Sequence, residues 1–501
     1  MSGQPIRKIV VVGGGTAGWM AAAPLAQRMG NRCEIVLVES PDIGTIGVGE
    51  ATLPTIRAYN QSLGLDGADF VRKTQGSFKL GIEFKDWGHV GHRFFHGFGD
   101  FGPAIEGRSA FAYWLRLSRE SAGIGSYEDW SMATQMAHAN RFTPPVGGPP
   151  SAHNAYSFAY HFDAGLYAAY LREYAMARGA QRIEGLIVDV ELRAEDGFVA
   201  AVKLKDGRRI DGDLFIDASG FRAVLIEGAM KSPYEDWSAM LPCNSAQAVP
   251  SARAAALTPY TTSTAKPNGW QWRIPLQHRT GNGHVYCSGF TSDEEATRVL
   301  LEGLDTEALD TPRQLRFTTG RRRESWVRNV VAVGLSSGFL EPLESTSIQL
   351  IMDGVGRLLE LFPDSDFSPR LAAEYNRRMS AQYESIRDFI VLHYKLTRRD
   401  DTEFWRYVAA MPISETLAEQ IELFRATGHV SIRYADGFAE PSWIALLMGL
   451  GCVPERIDPN TRAVDEALLR QHFARVQHAI QQVAAEMPDH AEYIARHCRA
   501  A

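Results

Sequence analysis

The amino-terminal segment contains the pattern that most restricts how this chain can fold. Its sequence KIVVVGGGTAGWMAAAPLAQRMG (residues 8–30) is a continuous apolar run, three glycines in G-x-G-x-x-G spacing and then a helical stretch. In such a turn the first glycine allows the tight bend, the second lets the backbone approach a pyrophosphate, and the third lets the helix pack on the strand. The anion then lies at the helix N-terminus. The residues predicted to bind a dinucleotide here are Gly13, Gly15, Thr16, Ala17 and Gly18.

A second predicted strand supports this interpretation. The sequence CEIVLVES (residues 33–40) ends at Glu39, where a carboxylate can bind the ribose hydroxyls of the dinucleotide. Pro24 lies inside the predicted helix between the two strands and is expected to kink it. Strand, glycine turn, helix and second strand together predict a βαβ unit that holds a dinucleotide.

Composition excludes several other classes of protein. The 501 residues are 45% hydrophobic and 22% charged, as in a soluble globular protein. The net charge of −7 argues against a nucleic-acid or anionic-membrane partner. The five cysteines are odd in number and form no C-x-x-C pair, so a reducing cytoplasm is expected. The apolar amino-terminal stretch is too short for a signal peptide or a membrane span.

Two later segments indicate which dinucleotide is bound. Residues 188–220 predict short strands joined by Asp-Gly turns and closing at Asp217, and residues 326–354 predict a buried strand, a glycine-rich turn at Gly334 and a helix. Three such pieces in one chain resemble the large flavoprotein monooxygenase fold, which implies FAD. The predicted fold is therefore α/β, with a mostly helical carboxy-terminal subdomain.

The predicted domains follow from where strands give way to helices. Residues 1–358 are predicted to form an FAD-binding module with inserted substrate-side segments, and residues 359–501 a helical subdomain that completes the substrate site. Ser368 and Pro369 are predicted to start one helix, and Ser414 another. The Pro- and Gly-rich residues 143–154 predict a linker or surface loop.

Several short motifs carry a more specific resemblance. Trp270 and Trp272, in WQWRIP, should lie on one face of a strand, either as core packing or as the wall of a pocket. The chain resembles the flavin-dependent tryptophan and indole halogenases in six motifs: GGGTAGW, GVGEATLP, FKLGIEF, AYHFDA, W-x-W-x-I-P and GFLEPLEST. In that family the two tryptophans separate flavin from substrate. The resemblance also implies flavin contacts at Gly49 and Ala51.

The resemblance implies a two-component enzyme that halogenates an aromatic ring. An electron-rich arene reacts only with an electrophilic halogen, so FADH2 and O2 must first oxidise halide to hypohalous acid. A separate NAD(P)H-dependent flavin reductase supplies the FADH2. Lys79 matches the lysine that holds the oxidant and Glu344 the carboxylate that takes the ring proton. The alternatives are a surface or strand-edge lysine and a helix-capping glutamate.

The halide and substrate positions depart from the family pattern. Thr346 and Ser347 match the halide-binding amides, but glycine is usual after the threonine, which favours bromide over chloride here. His96, Phe98 and Trp443 match the rings that sandwich an indole. The positions that grip the amino-acid part of tryptophan hold different residues in this chain: Ser431, Ile432 and Phe438. A simple indole is therefore predicted to be preferred, with halogenation at C3.

Competing interpretations remain at this point. His89, His92 and His96 could form a metal site, although the intervening glycines argue against a helix there. The run from Arg321 to Arg323 could be a solvated edge or could pack against carboxylates. The protein could also be a flavin-dependent aromatic hydroxylase, or an FAD-binding module without catalysis. The sequence leaves the oligomeric state open, a homodimer included.

Overall fold

The computed structural model describes residues 3–41, 49–120, 123–432 and 437–500. Its strands are β1 (Lys8–Val12), β2 (Glu34–Glu39), β3 (Gly49–Ala51), β4 (Ser77–Lys79), β5 (Gly81–Lys85), β6 (Arg93–Gly97), β7 (Ala159–Asp163), β8 (Gln181–Glu184), β9 (Ile187–Leu192), β10 (Val199–Leu204), β11 (Arg209–Asp211), β12 (Leu214–Asp217), β13 (Tyr234–Asp236), β14 (Ser245–Ala252), β15 (Thr261–Lys266), β16 (Gly269–Pro275), β17 (Arg279–Tyr286), β18 (Arg313–Arg316), β19 (Gly320–Arg322), β20 (Trp326–Val327), β21 (Val330–Ala332) and β22 (Gly338–Phe339).

The α-helices of the described residues are α1 (Thr16–Met29), α2 (Ile56–Ser62), α3 (Gly67–Lys73), α4 (Ala110–Glu120), α5 (Met132–His138), α6 (Ala164–Met176), α7 (Asp293–Glu302), α8 (Ser347–Glu360), α9 (Pro369–Lys395), α10 (Glu403–Ala410), α11 (Glu415–Thr427), α12 (Glu440–Gly449), α13 (Glu466–Glu486) and α14 (His490–His497). All strands of the described chain precede α8, so the predicted mixed α/β fold with a mostly helical carboxy-terminal part is confirmed. None of these helices is both long enough and apolar enough to cross a membrane.

The chain forms two compact units, each built from three stretches. Unit 1 comprises Met1–Gln75, Phe162–Asn244 and Arg316–Glu384, and unit 2 comprises Gly76–His161, Ser245–Leu315 and Ser385–Ala501. The boundary predicted after residue 358 lies within α8, and the predicted division into residues 1–358 and 359–501 stays a prediction. The loop at residues 143–154 lies inside unit 2 and is largely exposed from residue 146 to residue 151, as expected of a surface loop.

Unit 1 is organised around a six-stranded sheet in the order β20-β21-β12-β1-β2-β8. Its strands are parallel except for β20 against β21. Valines dominate β1 and β2 because both faces of these strands are covered, and most of their residues are fully buried. Helix α1 packs against α6 and α8, and it continues through Pro24, which is buried.

Unit 2 contains a seven-stranded sheet in the order β18-β14-β17-β16-β15-β5-β6. Strand β4 pairs antiparallel with the start of β7, with Ser77 opposite His161 and Lys79 opposite Ala159. Helices α5 and α12 pack on β6, and α7 packs on β17. Helix α11 begins after Ser414, whose hydroxyl accepts a hydrogen bond from the Leu417 N–H, as the sequence predicts.

Candidate active site

Three strand ends of unit 1 bring the predicted flavin-binding segments together. Strands β1, β12 and β21 are parallel neighbours, so their carboxyl ends lie at one edge of the sheet. The loops beyond them are joined by backbone hydrogen bonds: the Ala218 N–H donates to the Val12 carbonyl at 2.8 Å, and the Val333 N–H donates to the Asp217 carbonyl at 2.9 Å. Segments far apart in sequence thus converge at the edge where α/β sheets bind ligands.

The glycine turn has the geometry that a pyrophosphate requires. Gly13 has a φ of +112°, and a Cβ there would lie 2.3 Å from the Ala218 carbonyl oxygen. A Cβ on Gly18 would lie 1.9 Å from the Gly13 carbonyl oxygen, so only glycine allows the helix to approach the strand. Open space surrounds Gly15, which precedes α1, and the first turn of α1 has no acidic side chain. An anion therefore fits the helix N-terminus.

Glu39 lies beside this turn but is already engaged. Its carboxylate accepts a hydrogen bond from the Arg182 guanidinium and packs so closely over Gly14 that a Cβ there would overlap it. Arg182 also contacts Glu184 at 2.6 Å. A ribose that binds Glu39 must therefore share its carboxylate with Arg182, and ribose binding by Glu39 stays a prediction.

Both carboxylate oxygens of Asp217 accept hydrogen bonds from the turn that follows β12. Its Oδ1 accepts from the Ser219 N–H at 3.0 Å and from the Ser219 hydroxyl at 2.6 Å, while Oδ2 accepts from the N–H groups of Leu225 and Ile226, each at 2.8 Å. The side chain is completely buried. In this structure Asp217 therefore organises the loop after β12, and direct binding of the cofactor by its carboxylate stays a prediction.

The turn at Gly334, the third predicted flavin-binding segment, lies against the start of α1, which belongs to the first. Gly334 has a φ of +66°, and a Cβ on it would come within 2.8 Å of the Ala17 side chain at the start of α1. The Ser336 hydroxyl donates to the Asp217 carbonyl. Gly49 and Ala51 form β3 and are buried, whereas the first two residues of GVGEATLP, at positions 47 and 48, lie outside the described residues.

The predicted halide site is a sharp turn before α8. Glu344 ends a 3-10 helix, Ser345 has a φ of +60°, and Thr346 is the N-cap of α8. The first hydrogen bond of the helix joins the Leu350 N–H to the Thr346 carbonyl at 3.0 Å, so the preceding amide groups have no acceptor within the helix. The buried Thr346 hydroxyl has no partner among the described residues. These donors fit a bound anion.

Glu344 is completely buried, two residues before the N-cap. The capping position belongs to Thr346, and the Thr346 side chain makes no capping hydrogen bond. The position of Glu344 therefore differs from that of an N-cap residue, which accepts a hydrogen bond from the first turn. A role in the reaction stays a prediction for this carboxylate.

Lys79 of unit 2 is a buried lysine at the end of β4. Its side chain has 0% exposure, and its Nζ lies 5.2 Å from the centre of the Phe98 ring. Phe78 and Leu80 on either side are buried as well. The alternative of a surface lysine is therefore wrong, whereas Lys79 does lie on an edge strand, β4. Lysines are seldom buried without a specific role.

Three aromatic side chains lie around His96 in unit 2. The His96 ring lies 6.1 Å from Phe98, 5.9 Å from Phe389 and 6.3 Å from Phe438 between ring centres. Phe389 in turn packs edge-on against Trp443 at 4.9 Å. The three predicted substrate residues His96, Phe98 and Trp443 therefore belong to one buried ring cluster, which we call the ring cluster together with Phe389 and Phe438.

Phe389 is the member of the ring cluster that the sequence did not identify as a site residue. It follows the helical period of α9, where Tyr375, Met379 and Ile386 are also buried, and that period alone marks it as core. At the positions expected to grip an amino-acid group, Ser431 and Ile432 are exposed and Phe438 is buried, while residues 433–436 lie outside the described residues.

Trp270 and Trp272 lie side by side on β16, with ring centres 6.1 Å apart. Trp270 is fully buried near Trp87, at 6.5 Å, and the Trp272 ring covers Gly283 of β17, where a Cβ would meet it at 2.0 Å. The prediction that Trp270 and Trp272 lie on one face of a strand is confirmed. This packing accounts for both indoles as parts of the core, and their role as a barrier between flavin and substrate stays a prediction.

The structure also describes the histidines considered as a metal site and the run of three arginines. Among the described residues no group of three or more His, Cys, Asp or Glu side chains could hold a metal ion. The His89 and His92 rings pack together at 5.0 Å, and His92 lies 5.8 Å from the Phe94 ring of β6, the strand that also carries His96. In unit 1, Arg321 contacts Glu235 at 2.9 Å, and Arg322 forms an ion pair with Glu227. The prediction that the arginine run packs against carboxylates is confirmed for these two.

The five cysteines, all in described segments, are buried thiols outside any disulfide.

Comparisons with known proteins agree with this geometry. The family model described as Tryptophan halogenase matches residues 8–466. Tryptophan 6-halogenase SttH from Streptomyces toxytricini is 35% identical, over 97% of this chain and 98% of its own. Among solved structures, the flavin-dependent halogenase Xcc4156 from Xanthomonas campestris has a TM-score of 0.96 at 43% identity, over 99% of both chains. BrvH, a flavin-dependent halogenase from Brevundimonas sp. BAL3, has a TM-score of 0.94 at 44% identity, over 98% of this chain and 99% of its own.

Proposed function

The chain belongs to the tryptophan halogenase family, and from this premise we propose that it brominates a simple indole in preference to chlorinating free tryptophan. The observation that carries the proposal is the ring cluster, in which Phe438 replaces the expected carboxylate and packs against Phe389. Flat rings bind an indole well, whereas the ammonium and carboxylate of tryptophan need polar partners when they leave water.

FAD fits the glycine turn of unit 1, and as FADH2 it supplies the oxidation FADH2 + O2 + X⁻ + H⁺ → FAD + HOX + H2O. The residues that would hold it are those at the ends of β1, β12 and β21, with Glu39 beside them. The turn at Thr346 and Ser347 holds the halide by N–H donors at the helix N-terminus. A separate NAD(P)H-dependent reductase provides the reduced flavin.

Lys79 directs the oxidant within unit 2. Its ammonium donates a hydrogen bond to hypohalous acid, or its amine carries the halogen, and the ring cluster presents the arene. Burial of the lysine excludes water, which would otherwise carry the small oxidant away. Glu344 of unit 1 accepts the proton from the halogenated ring cation, so that ArH + HOX gives ArX + H2O.

The proposed preference for bromide over chloride is argued from Ser347, which stands where the family usually has glycine. Bromide is easier to oxidise and less costly to desolvate than chloride, so a site perturbed by the Ser347 side chain loses chloride activity first. Because Ser431, Ile432 and Phe438 stand where the family resemblance places the amino-acid clamp, we expect the most nucleophilic carbon of indole, C3, to react.

A competition assay tests this proposal. The purified protein receives FAD, a flavin reductase, NADH, O2, equal indole and tryptophan, and equal bromide and chloride, and the products are identified by mass spectrometry and NMR. We expect 3-bromoindole as the main product. Chlorotryptophan substituted at one benzo-ring position would contradict the proposed substrate and halide, and a hydroxylated product unaffected by halide would contradict the halogenase assignment.

A further inference from the structure

His161, from the AYHFDA motif, connects three strands of unit 2 and has no place in the chemistry above. It lies on β7 directly opposite Ser77, two residues from Lys79, and its side chain is completely buried. Its Nδ1 is 3.0 Å from the Ser77 hydroxyl and its Nε2 is 2.9 Å from the Thr261 hydroxyl. The Ser77 hydroxyl is also 2.7 Å from the carbonyl of Pro275, the last residue of the WQWRIP strand.

The directions of these hydrogen bonds follow from counting protons. Ser77 has one hydroxyl hydrogen and donates it to the Pro275 carbonyl, which cannot itself donate. The His161 Nδ1–H must then donate to Ser77, and in a neutral ring Nε2 is left to accept from the Thr261 hydroxyl. This arrangement needs a neutral imidazole. Burial, and then the positive charge of Lys79, hold the pKa of His161 well below its usual range.

A second buried histidine supports the opposite edge of β4. The Phe78 N–H donates to Nε2 of His490 at 3.2 Å, and Nδ1 of His490 is 2.8 Å from the Leu257 carbonyl. The Leu80 N–H donates to the Pro259 carbonyl at 2.7 Å. Alternate N–H groups of a strand point to opposite edges, so these acceptors satisfy the edge that β7 does not cover.

Side chains two residues apart on a strand share a face, so Ser77 and Lys79 project from β4 in the same direction. Anchoring Ser77 therefore fixes the backbone from which the long lysine side chain extends. We propose that His161 is a positioning residue, which fixes β4 against the end of the WQWRIP strand and thereby holds the Lys79 ammonium over the Phe98 ring. This inference rests on the proposed role of Lys79 in directing the oxidant.

Two conservative variants separate the two hydrogen bonds of His161. The amide of His161→Asn can replace Nδ1 and keep the bond to Ser77, whereas the longer His161→Gln can replace Nε2 and keep the bond to Thr261. His161→Leu removes both bonds. The measurement is brominated indole formed per FADH2 oxidised, together with free hypobromous acid caught by an added thioether.

We expect His161→Leu to lower this coupling ratio about tenfold or more, with the missing oxidant appearing as oxidised thioether and with an unchanged rate of flavin oxidation. His161→Asn should recover most of the coupling, and His161→Gln should not. The matched control is His284→Leu. His284 is another buried histidine of unit 2, its Nδ1 is 3.1 Å from the Ala296 carbonyl of α7, and its loss should lower the melting temperature without lowering coupling.

Equal coupling in wild type and His161→Leu, or equal recovery by the Asn and Gln variants, would overturn the positioning role while leaving the proposed function intact. Absence of halogenation by wild type would overturn the proposed function, and the positioning role with it. If His161→Leu fails to fold, the Asn and Gln pair decides the question alone.

Discussion

The rings of Phe389 and Phe438 are stacked, with centres 3.7 Å apart and planes 15° from parallel. Both are buried in unit 2 and both face His96. The family resemblance predicts a substrate-binding glutamate at the position of Phe438, so on that prediction an apolar stack replaces a charged contact. The ring cluster is thereby closed by an apolar pair, which suits an uncharged indole.

Phe438→Leu tests whether the stack contributes to substrate binding. A ring pair contributes about 0.5–1.5 kcal/mol beyond its buried area, so we expect KM for indole to rise about 2- to 13-fold with kcat nearly unchanged. Steady-state kinetics with bromide provide the measurement. Phe290→Leu, which breaks an edge-on pair with Phe404 in the same unit, is the control and should leave KM unchanged. A wild-type KM in Phe438→Leu would remove this residue from the substrate site.

Lys79→Ala should uncouple oxidation from halogenation. If the ammonium holds the oxidant, product yield falls on the order of 10²-fold or more, while FAD still binds and NADH and oxygen are still consumed. Product is measured by mass spectrometry and oxygen by electrode. Lys85→Ala is the matched control, because Lys85 is a partly exposed lysine on β5 whose ion pair with Glu83 spans 3.1 Å. Normal yield from Lys79→Ala would contradict its assignment.

Glu344→Gln separates a proton-accepting role from a structural one. The amide keeps the shape of the side chain but cannot accept a full proton, so we expect a rate loss on the order of 10²–10⁴ with a nearly unchanged melting temperature. Glu341→Gln, at another buried carboxylate near the same turn, provides the comparison and should affect the rate far less. A destabilised Glu344→Gln enzyme with its rate preserved would show that the residue supports the turn.

Ser347→Gly and Ser347→Ala test the source of the halide preference. Removing the side chain at the start of α8 should raise the ratio of chlorination to bromination about fivefold, the effect of a change of about 1 kcal/mol in the anion's surroundings. Alanine keeps the Cβ and removes only the hydroxyl, so it shows whether bulk or polarity matters. Competition between equal halide concentrations gives the ratio directly. An unchanged ratio in both variants would place the preference elsewhere.

The sequence predicted the flavin side of the site better than the substrate side, for a physical reason. Strands β1, β12 and β21 are parallel, so their glycine-rich ends had to meet at one edge wherever the strands lay in sequence. Phe389 could not be recognised in the same way, because a helical period reveals a buried face but not what packs on it. The ring contacts of Phe389 with His96, Phe438 and Trp443 distinguish it from its core neighbour Met379.

Residue spacing also could not reveal the hydrogen bonds that the Asp217 carboxylate makes within its own turn. A carboxylate at the end of a strand was predicted to bind the cofactor, yet backbone N–H groups from eight and nine residues further on use one of its oxygens. A sequence motif does not reveal short-range turn geometry of this kind.

Acid should destabilise unit 2 through its buried histidines. Burial lowers the pKa of His490 from 6.5 to about 4, against smaller opposing effects from the hydrogen bond to the Leu257 carbonyl and then from Asp489, and burial lowers the pKa of His284 to about 4 as well. The unfolded chain binds protons at these sites below pH 6.5 and the folded chain does not, so stability is complete above pH 6.5 and declines as the pH falls towards 4. Each histidine contributes roughly 3 kcal/mol to that decline.

His490→Gln provides the direct test of this pH dependence. Glutamine can replace Nε2 and accept from the Phe78 N–H, although it gives up the Nδ1 bond to the Leu257 carbonyl, and it does not titrate in this range. Melting temperatures measured from pH 8 to pH 4.5 should therefore fall less steeply for the variant than for wild type, even if the variant is less stable at pH 8. Parallel curves for the two proteins would mean that the His490 ring is not the group that binds the proton on unfolding.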